Sequence, residues 1–254
     1  MKDTLVVDIG NSYCKMGIFK QAKLVAWYEV PTNKKNLSLT ALRKLLISQF
    51  QTYNVTGAIV GSVVKGYVKI FVEAIQQVFN VKPYLLTDKT KLNFKFNKNI
   101  NRNEVGQDLI ALATYCATKA DNVIGFSFGT ASVGICLINK ILKGAIITAG
   151  LSYNVKSLVK EADMIDNNSF NIFREQLIGT NTKAAIEAGI YHLRNGFINS
   201  FYQTCQSLCK KNNTALHCVI SGHEAFKIKS NFNYEVNPKA ILFGYYQIYL
   251  LNCA

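Results

Sequence analysis

The chain has 254 residues, of which 49% are hydrophobic and 17% charged, so it holds enough apolar material for a packed core and is not a disordered chain. At about 150 residues per domain, this length predicts one large domain or two modest ones. The net charge of +14 comes mainly from lysines spread singly along the chain. Because nucleic-acid readers favour arginine forks, this charge does not indicate a nucleic-acid-binding protein.

The cysteines and the apolar segments bear on the compartment. The seven cysteines are odd in number, irregularly spaced and mostly set in apolar runs, which is typical of reduced thiols in a core. The first apolar run is broken by Asp8, so it does not predict a signal peptide. The stretch Ala240 to Leu251 is too short and too rich in tyrosine to span a bilayer. We therefore expect a cytoplasmic protein with no membrane partner.

The first half of the chain predicts strands followed by helices. A continuous apolar run predicts a buried strand over Thr4 to Val7, and a tight turn at 8–12 leads into a returning strand over Lys15 to Phe19. Further strands are predicted over Leu24 to Val30, Gly57 to Val63 and Val81 to Leu86, and helices over Leu39 to Tyr53 and Val68 to Phe79. The polar stretch Thr87 to Asn103 is the best candidate for a loop joining two domains.

The second half repeats this arrangement. Helices are predicted over Asp108 to Ala120, Tyr153 to Glu161, Phe170 to Gln176, Thr182 to Lys210 and from Pro238 onward, and strands over Val123 to Phe126, Ser132 to Ile138 and His217 to Ile220. Aligning Asp8 with Ser127 places Gly10 on Gly129, and an apolar returning strand follows both turns. This repeat predicts two related α/β domains facing one another, over residues 1–105 and 106–254.

The first turn has the residue types of a phosphate-binding loop. The chain contains no P-loop and no Gly-x-Gly-x-x-Gly motif after a strand. A turn built from Asp8, Gly10, Asn11 and Ser12 exposes backbone N–H groups that can cradle phosphate oxygens. The Asp8 carboxylate can hold magnesium, directly or through water, and Lys15 can add a point charge. The alternative is that Asp8 and Asn11 only shape a turn.

Asp108 is the second carboxylate of interest. It follows Gly106 and opens a predicted helix, whose dipole favours the ionised carboxylate. In a functional role it is a general base that accepts a proton from a substrate hydroxyl. One such group is sufficient, because phosphoryl transfer depends mainly on positioning and charge neutralisation. The alternative is an ordinary aspartate at a helix N-terminus.

Several motifs, in this order and spacing, resemble those of type III pantothenate kinases. They are Asp8 to Ser12 with Lys15, Gly61 to Val64, Glu104 to Asp108, Phe128 to Ala131, Gly144 to Ile146, Ala149 to Leu151, Gly179 to Thr182 and Ala188 to Ile190. The resemblance spans nearly the whole chain. It implies the fold of acetate and sugar kinases, actin and the chaperone ATPases, which is α/β with two duplicated ribonuclease-H-like domains and an ATP cleft between them.

The resemblance implies an enzyme that transfers the γ-phosphate of ATP to the primary hydroxyl of pantothenate, the first step toward coenzyme A. It also implies Mg²⁺, a monovalent cation (K⁺ or NH₄⁺) and a homodimer with the helix from Thr182 near the interface. The implied ATP-binding residues are Asp8, Ile9, Gly10, Asn11, Ser12, Tyr13, Cys14, Lys15, Gly129 and Thr130, with magnesium at Asp8. The implied pantothenate-binding residues are Gly106, Gln107, Asp108, Leu109 and Thr182, with Asp108 as the proton acceptor.

Two positions depart from the family pattern. Ser127 stands where the family normally has an aspartate that coordinates the monovalent cation, and a site without that carboxylate loses most of its Coulomb attraction. Leu109 stands where an arginine fork would grip the substrate carboxylate. Two alternatives therefore stay open: a non-catalytic member that acts as a regulatory or partner-binding protein, and a kinase for another small hydroxyl compound.

Overall fold

A computed structural model describes residues 3–32, 38–162, 165, 169–210 and 215–253 of the chain. In chain order its elements are β1 (Asp3–Ile9), β2 (Tyr13–Lys20), β3 (Lys23–Pro31), α1 (Leu39–Phe50), β4 (Val55–Ser62), α2 (Tyr67–Phe79), β5 (Tyr84–Leu85), β6 (Lys95–Phe96), α3 (Gln107–Cys116), β7 (Val123–Phe128), β8 (Ala131–Ile138), β9 (Ile141–Ala149), α4 (Leu151–Glu161), α5 (Thr182–Lys210), β10 (His217–Gly222), β11 (Glu235–Val236) and α6 (Ala240–Cys253). The chain divides into two compact units, one formed by 1–118 with 239–254 and the other by 119–238.

The first unit is built on a mixed sheet with strand order β3-β2-β1-β4-β5. The strands β1, β2 and β3 form an antiparallel meander, whereas β4 runs parallel to β1 and β5 parallel to β4. Every residue of the central strand β1 is buried, because helices cover both faces of the sheet. Leu5, Val7 and Ile9 point into the core formed with α1 and α2. Since side chains alternate along a strand, Asp8 points to the opposite face, which α6 covers.

The second unit repeats this topology. The strands of this unit have the order β11-β10-β7-β8-β9, with β7, β8 and β9 antiparallel, β10 parallel to β7 and β11 parallel to β10. Strands β7 to β11 therefore correspond one by one to β1 to β5. The long helix α5 packs in the core of this unit, and its predicted range, Thr182 to Lys210, is confirmed. The predicted α/β fold with two duplicated ribonuclease-H-like domains is confirmed.

The two compact units do not end at residue 105, where we placed the domain boundary. Helix α3 belongs to the first unit because it packs closely against α6, and a β-carbon at Gly244 would lie 1.8 Å from the carbonyl oxygen of Ala111. The polar stretch Thr87 to Asn103 is grouped with the first unit. Its Lys91 N–H donates to Asn252 Oδ1 (2.8 Å), and its Asn93 Nδ2 donates to the carbonyl of Thr114 (3.0 Å).

Two predicted elements differ from the structure because side-chain hydrogen bonds or a proline determine the backbone conformation there. The helix predicted over Phe170 to Gln176 is wrong, since this segment is irregular. The Asn171 N–H there donates to the buried Glu187 carboxylate (2.8 Å) and the Phe173 N–H to Asn171 Oδ1 (3.2 Å), so side chains replace helical acceptors. The strand predicted over Val81 to Leu86 shrinks to β5, because Pro83 cannot donate to the sheet. Strand β9 was not predicted.

Within the part of the chain that the structure describes, no helix combines the length and the apolar character that a membrane span requires.

Candidate active site

The first predicted turn connects β1 to β2, and it is closed by backbone hydrogen bonds. The Gly10 N–H donates to the carbonyl of Tyr13 (3.0 Å). Thr32, the residue directly after β3, holds the turn with two further hydrogen bonds. Its hydroxyl donates to the carbonyl of Gly10 (2.7 Å) and its N–H to the carbonyl of Ser12 (2.8 Å). The turn is therefore held rigidly, as a phosphate-binding loop requires.

The residues of this turn point in different directions. Ile9 and Cys14 are buried in the core with α1 and α2, and the Cys14 thiol lies 3.5 Å from the Thr32 hydroxyl. Their side chains are directed away from any ligand at the loop, so only their backbone can contribute. Asn11 and Tyr13 are exposed, and Ser12 is partly buried.

Asp8 and Lys15 form the charged base of this turn. They are register partners on the antiparallel pair β1 and β2, so their side chains extend from the same face of the sheet. Asp8 is only 5% exposed. Burial raises the pKa of Asp8 to about 7, Lys15 opposes this rise, and the nearby charge of Asp108 adds to it.

Asp108 lies in the first turn of α3, as predicted. Its Oδ1 accepts a hydrogen bond from the backbone N–H of Leu109 (2.8 Å). Burial raises the pKa of Asp108, while backbone N–H groups and Lys15 act in the opposite direction. A β-carbon at Gly106 would lie 2.6 Å from Asp108 Oδ1, so any larger residue there would displace the carboxylate. The structure thus brings Asp8, Lys15 and Asp108 together within the first unit.

Gln107 ties the start of α3 to the sheet. Its Oε1 accepts a hydrogen bond from the N–H of Ser62, the last residue of β4 (2.9 Å). The side-chain oxygen is therefore engaged in holding Asp108 against the end of β4. Leu109, the other residue predicted beside Asp108, is partly buried and presents an apolar side chain.

The second predicted turn connects β7 to β8. The Gly129 N–H donates to the carbonyl of Ala131 (3.1 Å), and the carbonyl of Thr130 accepts from the N–H of Gly150 (2.9 Å). A β-carbon at Gly150 would lie 2.0 Å from the carbonyl oxygen of Gly129, so this close approach requires glycine. Gly129 and Thr130 are exposed at the tip of the turn.

Ser127 occupies the position in β7 that Asp8 occupies in β1. Its register partners are Val133 on β8 and Ser221 on β10, where Asp8 has Lys15 and Gly61. The second turn therefore lacks both members of the charged pair. Ser221 is fully buried, and its hydroxyl has no hydrogen-bond partner among the described residues.

Thr182 begins α5 and is exposed beside a cavity of about 770 Å³ within the second unit. The cavity is lined by the segment 179–182 and by residues of α4 and α5. Asn181 caps the helix, since its Oδ1 accepts from the N–H of Ala184 (2.9 Å). Asn154 also lines the cavity, and its Nδ2 donates to the carbonyl of Gly150 (3.1 Å), which connects the cavity wall to the second turn.

Sequence reasoning missed Tyr245 on α6. This side chain is fully buried, and burial, together with the charges of Asp8 and Asp108, raises its pKa well above the usual value. Its sequence signal is weak, because α6 also carries Tyr246 and Tyr249. Its distance along the chain from Asp8 hides the relationship.

Comparison with known sequences gives a consistent family. A sequence model of type III pantothenate kinases matches residues 4–204. A relative named type III pantothenate kinase from Malacoplasma penetrans (strain HF-2) is 40% identical over 252 residues, which cover 98% of this chain and 96% of the relative. Another of the same name from Mycoplasmopsis synoviae (strain 53) is 29% identical over 255 residues, with 99% and 98% covered.

Solved structures share the fold. A Campylobacter jejuni structure described as a Baf family transcriptional activator has a TM-score of 0.61 at 16% identity, with 98% of each chain covered. A Sinorhizobium meliloti structure described as a 2-dehydro-3-deoxygalactonokinase has a TM-score of 0.57 at 10% identity, with 99% of this chain and 97% of that chain covered. At these identities the likeness concerns the fold alone. With the family match over residues 4–204, the chain belongs to the type III pantothenate kinase family.

Proposed function

We propose that this protein phosphorylates pantothenate with ATP, giving 4'-phosphopantothenate and ADP in the first step of coenzyme A biosynthesis. Membership of the type III pantothenate kinase family supports this activity. The observation that carries it is the grouping of Asp8, Lys15 and Asp108 at one place in the first unit, where a rigid turn, a cation and a buried carboxylate meet. A chain that kept only the fold would have no physical reason to keep this grouping.

The turn from Asp8 to Lys15 is proposed to bind ATP. Its backbone N–H groups contact phosphate oxygens, and Lys15 supplies a positive charge to them. Gly129 and Thr130 of the second turn are proposed to contact ATP as well. Both residues are exposed, and backbone hydrogen bonds hold the turn that carries them, which supports this role.

Asp8 is proposed to hold the magnesium ion. A carboxylate is the hard oxygen donor that magnesium prefers, and Asp8 stands at the end of a strand beside a phosphate-binding turn, so the residue fits the ion. Burial raises the pKa of Asp8, which indicates a carboxylate that gains from a cationic partner. When bound, magnesium neutralises phosphate charge during transfer.

Asp108 is proposed to be the general base. Its carboxylate accepts the proton of the pantothenate primary hydroxyl as that oxygen forms a bond to the γ-phosphorus and the bond to the ADP oxygen breaks. Burial raises the pKa of Asp108, so it is a stronger base than an ordinary aspartate, while Lys15 and the Leu109 N–H keep the ionised form accessible. Gly106, Gln107 and Leu109 are proposed to line the pantothenate site beside it.

The remaining proposals concern the second unit and the assembly. Thr182, exposed at the start of α5 beside the 770 Å³ cavity, is proposed to contact pantothenate, and the protein is proposed to be a cytoplasmic homodimer. Ser127 offers a neutral hydroxyl where a carboxylate would hold K⁺ or NH₄⁺, so the residue does not fit a strong monovalent site. We expect activity without a strict requirement for a monovalent cation.

Product analysis tests the proposed function. The protein is incubated with ATP, Mg²⁺ and pantothenate, or with glycerol or a hexose in its place, and the products are identified by mass spectrometry. We expect a phosphate adduct of pantothenate and none of the other alcohols. Phosphorylation of another alcohol in preference to pantothenate would assign a different substrate, and ATP binding without any phosphorylated product would assign a non-catalytic role.

A further inference from the structure

Tyr245 has a buried hydroxyl for which the fold gives no use. The side chain is fully buried, and its hydroxyl has no hydrogen-bond partner among the described residues. A buried hydroxyl without a partner costs stability, so phenylalanine would be the better residue if only packing mattered. Tyr245 is therefore placed for something other than stability.

The position of the hydroxyl follows from the strand register. The phenol end of Tyr245 fills the space where a β-carbon at Gly61 would lie, with its oxygen 2.3 Å from that point. Gly61 and Asp8 are register partners on the parallel strands β4 and β1, so both are directed to the same face of the sheet. Neighbouring strands lie about 4.8 Å apart, which puts the hydroxyl oxygen within roughly 7 Å of the Asp8 β-carbon.

Two carboxylates lie near this hydroxyl, and they come from two different elements. Asp8 on β1 and Asp108 on α3 both lie close enough for their charges to raise the pKa of this phenol. Lys15 on β2 faces both carboxylates, and β4 contributes only Gly61. Toward an ionised carboxylate a protonated phenol can only donate, because an ionised carboxylate is purely an acceptor.

We propose that Tyr245 is a positioning residue whose hydroxyl donates a hydrogen bond to the Asp8 carboxylate and fixes the orientation in which Asp8 meets the magnesium–nucleotide complex. This inference rests on the proposed function for the role of Asp8. The hydrogen bond requires the Asp8 carboxylate to turn toward the hydroxyl, which has no partner among the described residues. A hydrogen bond to a charged acceptor is stronger than one between neutral groups, so it can hold one carboxylate orientation.

Tyr249 provides a matched control on the same helix. It lies one turn after Tyr245, and its hydroxyl fills the β-carbon position of Gly57, four residues before Gly61 on β4. The acidic pair does not contribute to its raised pKa, which follows from burial and from the neighbouring Cys253 and Tyr246. The two tyrosines thus share a helix and a partner strand, but Tyr249 is only partly buried and its pKa is not raised by the two carboxylates.

The test compares Tyr245→Phe and Tyr249→Phe with the wild type in calorimetric titrations with ATP, with Mg²⁺ and with EDTA, and in thermal unfolding. We expect Tyr245→Phe to bind magnesium–ATP about tenfold more weakly, to match the wild type in EDTA, and to unfold at the same or a higher temperature. We expect Tyr249→Phe to bind like the wild type under both conditions. In the kinase assay, Tyr245→Phe should lower kcat with little change in the KM for pantothenate.

Two results would overturn the proposal. One is magnesium–ATP binding by Tyr245→Phe within twofold of the wild type, and the other is a binding defect of equal size in EDTA. A wild-type protein that does not phosphorylate pantothenate would contradict the proposed function instead. The titrations would still decide the role of Tyr245, because they need no turnover.

Discussion

Asp8 and Lys15 face each other across the first two strands, and Lys15 lowers the pKa of both Asp8 and Asp108. One cation therefore counteracts the burial of two carboxylates. The short hairpin that makes them register partners also presents the turn for which we propose phosphate binding. The cation that acts on both carboxylates therefore lies at the base of that turn.

Replacing Lys15 with methionine removes that cation while keeping a side chain of similar length. We expect the affinity for ATP to fall about tenfold or more, because a phosphate contact is lost and the two carboxylates repel the nucleotide more strongly. Isothermal titration calorimetry measures the change. Lys20→Met, at the end of the same strand, is the control and should bind ATP like the wild type; equal affinities of both variants would contradict the role of Lys15.

Gly106 leaves the space that the Asp108 carboxylate occupies. In Gly106→Ala the new methyl group would lie 2.6 Å from Asp108 Oδ1, whereas the next contact, Val63 Cγ1, is at 3.6 Å. We expect the carboxylate to move and kcat to fall about tenfold, with the melting temperature nearly unchanged. The control is Gly144→Ala, where a β-carbon meets no atom of the described residues within 4 Å. Wild-type kcat in Gly106→Ala would show that the carboxylate position is not critical.

Asp108 is expected to cost stability when ionised. Burial raises its pKa in the folded protein above the unfolded value, so the cost is absent below about pH 4 and grows as the pH rises through the folded pKa. Asparagine carries no charge and can still accept from the Leu109 N–H. Asp108→Asn should therefore melt at a higher temperature than the wild type at pH 8, and the difference should shrink toward pH 4. A lower melting temperature at pH 8 would contradict this.

Ser127→Asp places a carboxylate at the position in β7 equivalent to Asp8. The neighbouring Ser221 hydroxyl, which has no partner among the described residues, can donate to the new group. We expect the variant to be activated by K⁺, with a severalfold rise in kcat, while the isosteric Ser127→Asn is not. Kinase assays with K⁺ or with a large organic cation measure this. Absence of K⁺ activation in the aspartate variant would show that this position does not form the cation site.

Much of the fold could be predicted because its signals are local. The apolar run before Asp8, the turn and the returning strand fix the hairpin that pairs Asp8 with Lys15, and helical spacing gave the range of α5. The packing of α6 could not be predicted, because this helix is apolar on all sides and shows no preferred face. The contact of Tyr245 with Gly61 depends on that packing, so no pattern near either residue reveals it.

The segment from Thr87 to Asn103 shows a second limit. Its lysines and asparagines have the composition of a linker, but asparagine side chains also replace backbone partners, and Asn93 donates to the carbonyl of Thr114 for this reason. Composition does not distinguish a solvated loop from one held by such bonds. The position of Asp108 in the first turn of α3, in contrast, could be predicted, because a glycine before a helix-opening aspartate is a local pattern.

The rate of ADP release measures the central claim most directly. It is followed for the wild type and for Asp108→Asn in the presence of ATP and Mg²⁺, with and without pantothenate. We predict that pantothenate stimulates ADP release by the wild type and that Asp108→Asn lowers the stimulated rate by about 100-fold or more while ATP still binds. ADP release by the wild type that does not respond to pantothenate, or an unchanged rate in Asp108→Asn, would contradict the account.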